Sequence, residues 1–341
     1  MAKFMFDAGR WSAAESWRAI RSARSEPPIR IASRVAKGER KVVFQTGLEQ
    51  AQQQYAAASA VGYESRPLNL FYGLAQAGKA LAAASPDLDQ ASTDESHKSW
   101  RTSSHGLAFS PTAGDFWTQR VNVEPGRADS FSRASIALGS TRDFDSIELG
   151  ALAAQLPDFV LEWRSFGPWD HCLYADDAMA GGSTNGVFDL REYRGDMTAA
   201  AVAAYVARYP AIEGSDVVLN EDKTPASRTN DGWPYVVVPD SNLVKNGDYE
   251  RWPLGAHRYG STHIVVPRPE GSTGDLHPLM SWWMVLFGFS ILARYHPKEW
   301  TEALAMGTSS IASQVEFLLD AAVTSVPELL ARELWTAPWV E

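Results

Sequence analysis

The 341-residue sequence predicts an α+β chain that is mainly α. Helix-like tracts rich in Ala and Leu open the chain, uncharged and amphipathic helix-like tracts close it, and short β-branched runs lie between them. This order predicts a helical core made by the N- and C-terminal helices around an inserted middle. The expected parts are an N-terminal helical part over 1–115, a β-containing middle region over 116–274, and C-terminal helices over 275–341 that pack back on the first part.

Taken in order, residues 10–25 place Trp17 and Ile20 at helical spacing among arginines, and Glu26-Pro27-Pro28 ends that run. Residues 46–63 are rich in helix formers. Over 68–84, Leu70, Leu74, Ala77 and Leu81 share one helical face until Ser85-Pro86-Asp87 breaks it. Residues 86–115 read as a polar loop with no core face of its own. Residues 116–138 alternate around a Pro-Gly turn and predict a hairpin, with a helix expected over 145–155. In the middle, 216–219, 233–238 and 262–266 predict strands, 197–208 a helix, and 181–186 (GGSTNG) a flexible loop. Helices over about 277–294 and 309–335 close the chain, the second interrupted at Pro327.

Composition narrows the function classes. With Cys172 as the single cysteine, no internal disulfide or Cys-rich zinc site is possible, which fits a cytoplasmic protein. Thirteen Trp imply that some line pockets or interfaces, because each indole N–H seeks a partner. The net charge of −10 opposes coating of nucleic acid by the whole surface. Residues 1–45, however, hold ten Lys/Arg against four acids. That basic segment reads as a solvated helix face or as a contact for nucleic acid or an acidic partner. The uncharged run Pro278–Ala293 is too short to span a bilayer, so it predicts a buried core helix and no membrane insertion. No signal peptide is visible in MAKFMFDAGRW.

Two segments carry a family resemblance. PLNLFYGLAQAGKAL, followed after a polar loop by SSHGLAFS, resembles the N-terminal half of the YaaC-like family. HPLMSWWMVLFGFSILARYHPKEW, followed by VEFLLDAAVTSVPELL, resembles its C-terminal half. A more distant similarity, to HEPN domains, rests on the helix from Leu70-Phe71-Tyr72 to Lys79-Ala80-Leu81 and the turn Ser104-His105-Gly106-Leu107. It implies a HEPN-like helical core, often dimeric, in an effector or nucleic-acid-associated protein such as one of a bacterial phage-defence system. RNA or a nucleotide is the implied ligand. Any enzymatic activity would be that of a metal-independent ribonuclease, with no cofactor and no metal. In HEPN ribonucleases four to six residues separate an Arg from the His that follows it; His moves the 2′-OH proton and Arg stabilises the phosphorane.

Arg164/His171, Arg251/His257 and Arg258/His263 have that spacing, but none lies in the segments that carry the resemblance, and chance placement alone gives one or two such pairs. Arg101 and His105 lie in the right neighbourhood at a shorter spacing. If the terminal helices pack together, Arg294 and His296 approach His105, and these four residues form the candidate catalytic site. Arg18, Arg21, Arg24 and Lys79 are the candidate nucleic-acid contacts. GLAQAGK has Walker A spacing, yet Ala80 stands where Ser or Thr would hold Mg²⁺ and the leucine periodicity runs through it, so its glycines are read as helix-packing positions. Adjacent Asp170-His171-Cys172 cannot converge on one face of a strand, which opposes a metal site or a Cys nucleophile there. The acidic pairs Asp176/Asp177 and Glu221/Asp222 read as solvated loops. Two other functions remain open: a noncatalytic scaffold or partner subunit of a protein complex, and a small-molecule (nucleotide) sensor with its pocket between the helical core and the middle region.

Overall fold

The computed structural model describes residues 10–88, 99–111, 114–126, 128–163, 167–174, 186–190, 193–227, 232–246 and 250–335. Arg164, the Asp176/Asp177 pair, loop residues 181–185 and the side chain of Arg251 lie outside the described residues. Of the described residues 51% are helical and 13% are in strands, so the fold is mainly α.

Helix α1 (Ala13–Ser25) opens on a reciprocal cap in which Ser12 Oγ accepts from the Glu15 N–H and Glu15 accepts from the Ser12 N–H at 2.8 Å. A single turn, α2 (Ile29–Ala32), leads to the long antiparallel pair α3 (Gly38–Ala60) and α4 (Arg66–Ala84). These two pack closely because glycine lines their contact: a Cβ on Gly73 would lie 2.6 Å from the Tyr55 ring, and one on Gly47 2.7 Å from the Gln76 carbonyl.

The polar loop is not wholly without a core face. Trp100, Leu107 and Phe109 are buried, and β1 (Leu107–Phe109) pairs with β2 (Arg120–Val123), which pairs with β3 (Ser146–Glu148) in a small antiparallel sheet. A three-residue alternation is too short to stand out in sequence. The hairpin expected over 116–138 is replaced by β2 followed by helix α5 (Ser130–Leu138). Asp129 caps this helix, its Oδ1 accepting from the Ser132 N–H at 2.7 Å, and Gly139 ends it in the left-handed region at φ 64°. The helix expected over 145–155 likewise begins as β3 and continues as α6 (Leu149–Ala154), with α7 (Pro157–Glu162) after it.

The middle continues with β4 (Leu173–Tyr174), β5 (Gly186–Asp189), α8 (Ala199–Val206), β6 (Asp216–Val217), β7 (Tyr235–Val238), the hairpin β8 (Leu243–Asn246) and β9 (Glu250–Pro253), then β10 (His257–Tyr259) and β11 (Thr262–Val265). They form sheets ordered β10-β11-β4 and β5-β7-β6, with β8-β9 separate. Helices α9 (Pro278–Tyr295), α10 (Pro297–Ala303) and α11 (Ala312–Trp335) complete the chain. Pro327 does not interrupt α11: the helix runs through it. The proline removes one backbone donor, but Val326, Leu329 and Leu330 around it are buried, and that packing holds the turn.

Among the described residues the buried apolar side chains form two cores. The larger joins α1, α3 and α4 to α9 and α11, and α9 is buried along nearly its whole length. Among the described residues no helix is long and apolar enough to cross a membrane. This core runs through the boundary expected at 115/116, since Trp117, Val121, Phe131, Leu152 and Phe159 belong to it. The smaller core, built on Phe188, Val202, Tyr209, Val236 and Val238, belongs to the later part of the middle.

Candidate functional site

Helices α4 and α9 cross antiparallel, with Tyr72 against Arg294 at one end and Gly78 against Trp283 at the other. A Cβ on Gly78 would lie 2.4 Å from the Trp283 ring, so the GLAQAGK glycines serve helix packing inside α4. The segment carrying His105 lies beside this crossing. Its backbone is fastened to the start of α5: the Ser130 N–H donates to the Ser104 carbonyl at 2.9 Å and the Phe131 N–H to the His105 carbonyl at 3.1 Å. Gly106 has φ 79°, and a Cβ there would lie 2.1 Å from Asp129 Oδ1. Asp129 is buried and also accepts from the Gly126 N–H. The Ser-His-Gly turn is therefore a docking turn: only glycine fits the backbone conformation and the close approach of the Asp129 carboxylate.

The His105 ring is exposed on one side and lies against Phe71, centroids 5.4 Å apart, and near Phe287 at 6.4 Å. Partial burial, then the charges of Arg294 and Lys79, push its pKa below the ordinary histidine value. Arg294 is held in place: its Nη1 donates to the Tyr72 hydroxyl at 2.8 Å, its Nε to the Ser290 carbonyl at 3.1 Å, and its guanidinium lies 5.6 and 5.0 Å from the Tyr72 and Tyr295 ring centroids. His105 thus lies within electrostatic reach of Arg294 and Lys79, and Arg294 itself rests against two tyrosines.

The sequence candidates divide on this face. Arg294 and Lys79 both lie within electrostatic reach of His105. Arg101 does not: it pairs with Glu39 on α3 and sits 5.3 Å from the Trp100 ring centroid. Its side chain faces a neighbouring carboxylate instead of the histidine four residues on. His296 forms the backbone joint between α9 and α10, its N–H donating to the Leu292 carbonyl and its carbonyl accepting from Trp300. Of the α1 arginines, Arg18 and Arg21 are exposed, and Arg24 lies 3.7 Å from Glu49. Tyr72, which holds Arg294, is a residue of this face that sequence reasoning did not list as a candidate. Its place beside Phe71 at the resembling helix was the available signal.

The Asp170-His171-Cys172 string diverges as its alternation requires. Asp170 meets Arg208 at 2.5 Å, while burial pushes the Cys172 thiol far up and Asp158 adds to this, leaving it protonated and unfit as a nucleophile. His257 and His263 of the other two spaced pairs are engaged elsewhere: His257 with Asp275 at 2.9 Å, and His263 stacked on Trp252 with centroids 4.1 Å apart. Among the described residues no three His, Cys, Asp or Glu side chains converge as metal ligands.

A family model described as YaaC-like Protein matches residues 17–334. No curated protein and no solved structure matches the chain.

Proposed function

The chain belongs to the YaaC-like family, and on that premise we propose that it is a nucleic-acid-associated protein that holds single-stranded RNA on the face shared by α4, α9 and the His105 turn. The observation that carries this reading is the seating of Arg294 on Tyr72 and Tyr295 beside an exposed His105 that feels the charges of both Arg294 and Lys79. Cations beside aromatic rings suit a phosphate chain with unstacked bases, because guanidinium and ammonium groups neutralise phosphates while a ring accepts any base by stacking.

The same groups meet the needs of metal-independent transesterification. A histidine whose pKa is pushed down is neutral at physiological pH and accepts the 2′-OH proton, while Arg294 offsets the charge that gathers on the phosphorane oxygens. In this HEPN-like reading the protein is an RNA-directed effector of the kind used in antiviral defence.

The test is fluorescence anisotropy with a labelled mixed-sequence RNA, run beside a cleavage assay on the same RNA. Arg294→Ala is expected to weaken binding by about tenfold or more. Cleavage lost in His105→Ala with binding retained would make His105 catalytic. Binding without cleavage in the unaltered protein would make this face a recognition surface. RNA affinity unchanged in Arg294→Ala and Lys79→Ala would contradict the proposal.

A further inference from the structure

A second site lies away from the His105 face. A cleft of about 670 Å³ opens between residues 167–171, which lead from α7 to β4, and α8 with the turn at 193–195. Its volume is within the range of small-molecule sites.

One wall is Trp169, and the fold fixes that ring with unusual care. Its Nε1 donates to Glu148 Oε2 at 2.8 Å. It rests on two glycines: a Cβ on Gly150 would lie 2.3 Å from the ring and one on Gly167 2.1 Å. The opposite wall is Tyr205, buried, with its ring 5.1 Å from Tyr193 and its hydroxyl accepting from the Tyr209 hydroxyl at 2.7 Å. Arg208 lies 4.7 Å from the Tyr205 centroid and 2.5 Å from Asp170 Oδ2, and Arg194 lines the same cleft from the exposed side. Flat rings, two guanidinium groups and a carboxylate thus face one space. A half-buried Trp seated on glycines is a preformed stacking platform, because its place and tilt are set before anything binds. The guanidinium groups select an anionic substituent, bidentate where it is a phosphate. Asp170 accepts hydrogen bonds from N–H or O–H groups of a ligand. Burial raises its pKa against the pull of Arg208 and His171, as expected of a carboxylate turned into a dry cleft.

We infer that this cleft binds a nucleoside monophosphate, its base stacked on Trp169 and its phosphate on Arg194 and Arg208. The site does not depend on RNA binding at His105, with which it shares no residue.

The experiment is calorimetric titration of the full chain with AMP and UMP, compared with ribose 5-phosphate and inorganic phosphate. The nucleotides are expected to bind with Kd below about 1 mM and at least about tenfold more tightly than ribose 5-phosphate, which lacks the ring. Arg194→Glu changes an exposed side chain and is expected to weaken nucleotide binding about tenfold or more with an unchanged circular dichroism spectrum; Arg208→Lys, which keeps the charge but loses the fork, weakens it less. Arg294→Ala is expected to leave nucleotide affinity unchanged, which separates this site from the RNA face. Absence of nucleotide binding at about 1 mM, equal affinity for ribose 5-phosphate and AMP, or affinity unmoved by both arginine variants would overturn the inference.

Discussion

His105 and His257 are the same residue in opposite electrostatic surroundings. His105 faces Arg294 and Lys79, and its pKa is lowered. His257 faces carboxylates: its Nε2 meets Asp275 Oδ2 at 2.9 Å, and its ring is 5.0 Å from that of His277, whose Nε2 meets Glu333 Oε1 at 3.1 Å. Burial opposes the charged form of His257, yet Asp275 and then Glu333 raise its pKa above the ordinary value. The His277 Nδ1 accepts from the Leu279 N–H at the start of α9, which places the ring proton on the Nε2 that faces Glu333. This second cluster balances its own charges and ties β10, α9 and α11 together. In the first, no carboxylate among the described residues pairs with Arg294, whose guanidinium is held by Tyr72 and the Ser290 carbonyl. A buried cluster whose charges pair internally ties the fold together, whereas charge of one sign on an accessible face attracts a ligand of the other.

The comparison can be broken from its structural side first. Glu333→Ala removes the acceptor for a buried histidine and is expected to cost about 2–4 kcal/mol in urea unfolding, with RNA affinity unchanged in the folded protein. If stability holds and RNA binding falls, the two clusters have been given the wrong roles.

The pH dependence of stability sharpens the same contrast. Burial works to raise the Glu333 pKa, but His277, His257 and Arg30 hold it below the ordinary 4.5. Its contribution is present above pH 4.5 and is lost as pH falls through the lowered native value. The His257 contribution is fully present below pH 6.5 and is lost as pH rises through the raised native value. The cluster therefore stabilises most between these limits. Asp275→Asn is expected to flatten the alkaline decline of the urea midpoint; an unaltered decline would assign it to other groups.

Gly106→Ala tests the docking turn. A side chain at φ 79° costs about 1–2 kcal/mol, and the Asp129 carboxylate must also shift, so both stability and the placement of His105 are expected to suffer. Gly139→Ala shares the left-handed backbone but meets nothing within 4 Å, so it is expected to carry the backbone cost alone and to leave RNA binding intact. The smallest effect is expected for Arg101→Ala. Its pair with Glu39 is exposed, so the urea midpoint should hardly move and under about twofold of RNA affinity should be lost.

These elements also mark what was legible in the sequence. The helices α4 and α9 could be read from leucine spacing and from an uncharged run, because long apolar faces declare their period. So could the packing role of the GLAQAGK glycines and the approach of Arg294 to His105. Of the small sheets, β6, β7 and β11 were legible as β-branched runs, whereas β1 and β3 were not: they are three residues each, and their partners are set by tertiary contact. Helix α5 was hidden by alternation of Ser with apolar residues, although Asp129 and Gly139 stand at its ends as cap and stop. Arg101 misled because nearness in sequence says nothing of which way a loop side chain turns, and Glu39 captured it. Lys79 was named as a candidate nucleic-acid contact from its sequence neighbourhood, whereas its electrostatic reach to His105 depends on tertiary packing. The cleft at Trp169 joins residues some forty apart, a distance that no local motif spans.

The most direct test of the central claim is the salt dependence of RNA binding. Each phosphate neutralised on a single strand contributes about 0.7 to the slope of log K against log salt. The Lys79→Ala, Arg294→Ala double variant is expected to bind more weakly and to lower that slope by about 1.4, while Arg101→Ala leaves it unchanged. A double variant with the same slope and affinity as the unaltered protein would contradict the account.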